Sequence, residues 1–138
     1  MSRTFAQIGA AALLCVIPLA LGGCSLLDNH RSLTLRTVMD AEYDAPDTTS
    51  NPVEMTRTAC GQELGCVEAY DTDEATYIRF ESRDRAAEYG SSLDDGFVVN
   101  YIVMDFAGKD GTSPQHQRSA MEVLAGTWQD YHGTFPDR

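Results

Sequence analysis

Basic side chains are scarce in this chain: 10 Lys and Arg stand against 21 Asp and Glu, a formal net charge of −11 over 138 residues. Lys109 is its single lysine. Nucleic-acid binding needs a positive footprint that displaces phosphate counterions, and this balance excludes it. The same shortage argues against electrostatic attachment to anionic lipid headgroups. Catalytic signatures are missing as well. The sequence contains no G-x-S-x-G elbow, H-E-x-x-H pair, Walker loop or Rossmann fingerprint. With 43% apolar residues the chain is too hydrophobic to be disordered throughout, and its length suits one domain.

What the sequence does contain begins at its N-terminus. Arg3 supplies a short basic region, and Ile8 to Leu21 is an uncharged, mostly apolar run of 14 residues. That is the length of a signal-peptide core and short for a membrane span. It closes on Leu21-Gly22-Gly23-Cys24. These four positions resemble the lipobox of bacterial lipoproteins. The resemblance implies a diacylglyceryl group on the Cys24 sulfur, cleavage between Gly23 and Cys24, and attachment of the exported chain to the membrane by its lipid. Small residues at 22 and 23 let a peptidase admit backbone beside a bulky lipidated side chain. The competing readings are an uncleaved anchor, since no charge falls between Thr4 and Leu27, and a freely secreted protein. Pro18, Gly22 and Gly23 weaken the helix that an anchor needs.

Cysteine usage agrees with export. Cys15 leaves with the signal peptide and Cys24 takes the lipid, so Cys60 and Cys66 remain. An even pair in an oxidising compartment is expected to be a disulfide. A redox-active pair is the lesser reading, because five residues intervene and no cation within the loop lowers a thiol pKa.

Beyond the signal, residues 24–50 read as a lipidated N-terminus and tether, with weak alternation suggesting a strand over 33–39. Residues 51–133 read as a disulfide-bonded α+β domain and 134–138 as a tail. Ser50 or Asn51 with Pro52 and Glu54 resembles a helix start, carrying a helix to about Glu63. Cys66–Tyr70 and Ala75–Phe80 read as a hairpin about Asp71-Thr72-Asp73-Glu74, with Ile78 and Phe80 on one face and Tyr77 on the other. Ser82 caps a helix that Gly90 weakens or stops. Gly96 opens an apolar strand, Phe97–Phe106, that needs cover on both faces. Ser113-Pro114 starts a last helix with Met121, Leu124, Ala125 and Trp128 on one stripe, ending near His132-Gly133. The resulting β-α-β-β-α-β order plus a C-terminal helix implies a small antiparallel sheet of ferredoxin-like, split-βαβ kind. The C-terminal helix is expected to cover the open sheet face; a second copy of the chain is the alternative.

Candidate chemistry is sparse. Asp71, Asp73 and Glu74 crowd carboxylates into one turn and form a weak candidate cation site, although turn chemistry explains them better. Asp94-Asp95 and Asp105 with Asp110 read as a turn and a strand end. His30 falls in the tether, His116 and His132 read as solvated helix-terminal groups in preference to a zinc site, and Trp128 and Tyr131 as core or rim aromatics in preference to a ligand shelf. No cofactor is implied. The expectation is a binding or envelope-accessory module whose acidic surface, held on a tether, favours a cationic ligand or another envelope protein. A carboxylate-dependent hydrolase and a homodimerising structural lipoprotein are the alternatives.

Overall fold

The structure is a computed structural model that describes residues 28–42, 45–61 and 64–138. Cys24 and the signal segment lie outside the described residues. The molecule is α+β. A five-stranded antiparallel sheet runs in the order β1-β2-β3-β5-β4, with β1 Val53–Glu54, β2 Glu68–Asp71, β3 Thr76–Arg79, β4 Gly96–Val99 and β5 Ile102–Asp105. Helices α1 (Leu35–Asp40), α2 (Thr56–Ala59), α3 (Arg83–Ser91) and α4 (Pro114–Glu122) complete it. From Val123 to Trp128, α4 continues as a π-helix.

The hairpin β2–β3 forms about the Asp71–Glu74 turn as its sequence suggests, pairing Ala69 with Ile78 and Tyr70 with Tyr77. Strands β3 and β4 both pair antiparallel with β5, which lies between them, and α3 connects them. That is a split βαβ unit, so the sheet is compatible with a ferredoxin-like arrangement. Alternation along the strands sends Tyr77, Phe97, Val99, Ile102 and Met104 to one face, where α1 and α4 cover them. Ile78, Phe80 and Val103 go to the other, under α3 and the disulfide loop. The apolar segment is therefore covered on both faces, and the C-terminal helix is the cover on the first.

Four sequence expectations are corrected. Residues 33–39 are not a strand: Thr34 caps α1 by accepting from the Thr37 N–H, and Leu35, Val38 and Met39 are buried at helical spacing. The segment read as tether is thus part of the domain from Asp28 onward, with Leu35 fully buried. The helix expected over 51–63 is confined to Thr56–Ala59. Val53 and Glu54 instead pair with Asp71 and Tyr70, and the Glu54 carboxylate accepts from the Thr56 N–H at 2.9 Å rather than closing a capping box. Phe97–Phe106 is two strands, β4 and β5, joined by a two-residue turn at Asn100-Tyr101. Asn100 takes the left-handed φ of 52° that such a turn demands, a conformation asparagine tolerates. The last helix ends earlier than His132-Gly133. Its turn-out residue is Asp130 (φ 49°), and the Tyr131 N–H reaches back to the Ala125 carbonyl.

Gly90 does not stop α3, which runs through it to Ser91. A Cβ at this position would fall 2.0 Å from a Val98 methyl. The glycine is there to let the helix lie close against β4.

Candidate functional site

The Cys60–Cys66 disulfide is present, with a Cα–Cα distance of 4.7 Å, and it ties the end of α2 to the approach to β2. Cys66 packs with Ala69, Ile78 and Phe80. Its place is structural: Cys66 is buried in this core cluster and Cys60 packs against it.

The candidate cation turn is occupied from within the protein. Lys109 places Nζ 2.7 Å from an Asp71 carboxylate oxygen and 2.6 Å from the Thr72 carbonyl. The three carboxylates also diverge. Asp73 accepts from the Asn51 side-chain amide, while Glu74 is buried and accepts from the Ser50 N–H at 2.8 Å. Burial works against the Asp71 carboxylate, but hydrogen bonds from Lys109 and Thr76 outweigh it and hold its pKa below the ordinary value. Among the described residues no group of three or more His, Cys, Asp or Glu side chains is placed to hold a metal ion. Asp95 pairs with Arg138, and Asp105 accepts from the Ala107 N–H. His116 and His132 are exposed. His30 lies 3.2 Å from Asp28 and 3.6 Å from Asp130.

The site the sequence did not reveal is a partly enclosed pocket of about 200 Å³ between α1, the 45–49 loop and the C-terminal part of α4. Val38, Ala120, Leu124 and Trp128 give it apolar walls, and Tyr77 of β3 forms part of its floor. Each element reaches the pocket for a local reason. The Leu35–Val38–Met39 stripe rotates Val38 inward, and α4 presents Ala120 and Leu124 one turn apart. The π-helical register then delivers Trp128 from Val123–Trp128; such extra-wide turns recur at functional sites. The 45–49 wall is held by one carboxylate. Glu42 accepts from the Asp47 N–H at 2.7 Å and from the Thr49 N–H at 2.6 Å.

The hydroxyl side chains among the pocket's described lining are those of Thr48, Thr49, Tyr77 and Thr127. The Tyr77 hydroxyl donates to the Thr48 carbonyl at 2.9 Å, and Thr48 Oγ1 donates to the Ala45 carbonyl at 2.6 Å. Burial, reinforced by the charges of Glu74 and Glu42, pushes the Tyr77 phenol well above its ordinary pKa, so it stays protonated and serves as a donor. Apolar walls with neutral hydroxyls, among the described residues, suit this pocket to holding a small, largely apolar ligand.

A second cluster gathers at the other end of the described chain. Asp28 accepts from the Tyr101 hydroxyl at 2.6 Å and from Arg83 at 2.9 Å, and it caps the Asn29–Ser32 turn. The Tyr101 hydrogen bond lowers the Asp28 pKa against the opposing effect of burial, Arg83 and His30 add to the lowering, and the same bond raises the pKa of Tyr101. Among the described residues no helix is long and apolar enough to cross a membrane. Comparison with protein-family models, curated proteins and solved structures finds no match for this chain.

Proposed function

We propose that the protein is a lipid-anchored, extracytoplasmic binding module that holds a small, uncharged, largely apolar ligand between α1 and the C-terminal part of α4. The observation that carries the binding reading is the pocket of about 200 Å³ lined by Val38, Leu124 and Trp128 over a protonated Tyr77. Cavities of roughly 150 Å³ with aliphatic and aromatic walls accept benzene. This pocket therefore suits a single ring or a short alkyl chain bearing one hydroxyl or carbonyl, which the threonine hydroxyls can meet. The address rests on Leu21-Gly22-Gly23-Cys24 and on the disulfide, which suits an oxidising compartment. A cationic ligand at the Asp71–Glu74 turn is disfavoured, because Lys109 already fills it.

Trp128 is the sequence's one tryptophan and lines the pocket, so its emission reports occupancy directly. Titration of the full chain with benzyl alcohol and with hexanol should shift and saturate that emission. Val123→Phe, which fills the pocket from its half-exposed wall, should abolish the response while leaving the thermal melt cooperative. Equal responses from the parent and Val123→Phe would count against the pocket as the binding site.

A further inference from the structure

From Asp28 onward the chain is fixed to the domain: the Asp28 carboxylate is held by Tyr101 and Arg83, and His30 reaches Asp130. Cys24 lies only four residues before Asp28. A fully extended chain spans at most ~3.3–3.6 Å per residue, so the Cys24-to-Asp28 leash reaches about 13–14 Å. Were the cluster open and the next fixed point Leu33, which packs against the core, the leash could reach about 30–32 Å by the same measure. The Asp28 cluster therefore decides whether a lipid on Cys24 holds the domain against the bilayer or lets it float.

The charges are distributed to match. Strand register puts Glu68, Arg79, Val99 and Ile102 at the sheet end beside Tyr101, where Glu68 pairs with Arg79 and Asp28 with Arg83. The opposite end carries Asp71 and Asp105, with Asp73, Glu74, Asp94 and Asp95 in the adjoining turns; Lys109 and Arg138 are the cations paired among them. Like charge repels the acidic end from anionic headgroups, whereas the end bearing Asp28 mixes both signs.

We infer that the domain sits directly on the bilayer surface, with the Asp28–Tyr101–Arg83 end facing the headgroups and the acidic end facing away. This rests on the lipid-anchor reading above. The anchor supplies the binding, and the latch and the charge asymmetry set the orientation.

The test uses the full chain produced in a bacterial host that lipidates exported proteins, reconstituted into phosphatidylcholine vesicles containing a dansyl-headgroup lipid. Trp128 is the donor. It belongs to the membrane-facing end, since Gln129 accepts from Asn100 beside Tyr101. Energy transfer is expected to be strong in the parent protein and to fall by more than about half in Tyr101→Phe and Asp28→Asn, which open the longer leash. A flexible Gly-Ser insertion between Leu27 and Asp28 lengthens the leash without touching the fold and should lower transfer likewise. If all forms float with the vesicles but transfer equally, the seating is wrong and the anchor stands. If the parent protein does not float with the vesicles at all, the anchor fails and the seating with it.

Discussion

Leu35→Ala is expected to lower stability by about 2–5 kcal/mol, the range for removing a buried leucine from a core that relaxes only partly. For a domain of this size that is a fall in melting temperature of roughly 10 °C or more. Leu35 is fully buried against the β3–β5 face, beside Val38 and Met39 on its own helix. Its N–H donates to a Glu68 carboxylate oxygen at 3.1 Å, and that same carboxylate pairs with Arg79. The substitution is diagnostic because, were residues 33–39 only a tether, Leu35 would be exposed and its loss would change stability by no more than about 0.5 kcal/mol. Thermal unfolding of the two proteins separates these outcomes. A melt unchanged within about 2 °C would mean that α1 does not belong to the core.

Cys60→Ser is expected to cost about 2–2.5 kcal/mol, the loop-closure entropy of a short crosslink. The sequence separation of six makes this a small ring, but what it holds is weak on its own. Helix α2 has four residues, too few to persist without tertiary support, and β1 has two. The disulfide fixes this edge of the sheet to the Ile78–Phe80 face, so its loss should loosen β1 and α2 before the central strands. Hydrogen exchange resolves that order. Equal acceleration across all five strands would indicate that the bond guards the whole fold instead of one edge.

How far the sequence disclosed this architecture depended on whether the decisive contacts were local. The β2–β3 hairpin, the Ser82 and Ser113 caps and the buried stripe of the last helix follow from residues within one turn of each other, and all are present. Residues 33–39 misled because Leu33 and Leu35 alternate. The spacing of Leu35, Val38 and Met39, with Thr34 ahead of it, is a helix signal of equal strength that only the sheet face resolves. The Phe97–Phe106 run concealed a turn because both strands are largely apolar, so no polar break marks it except Asn100. The pocket was illegible for a different reason. Val38, Thr48, Tyr77 and Trp128 are far apart in the chain, and no local pattern distinguishes a wall residue from a core residue. The Asp71–Glu74 turn is the converse case: local acidity suggested a cation, and a distant lysine supplied it.

The central claim, that an exported and lipid-bearing chain presents this domain outside the cytosol, is tested most directly by intact-mass analysis of the protein extracted from bacterial membranes. The expected product begins at Cys24, carries a diacylglyceryl adduct and has Cys60 and Cys66 oxidised to one disulfide. A product that retains Met1, bears no acyl mass and leaves both thiols free to alkylation would contradict it.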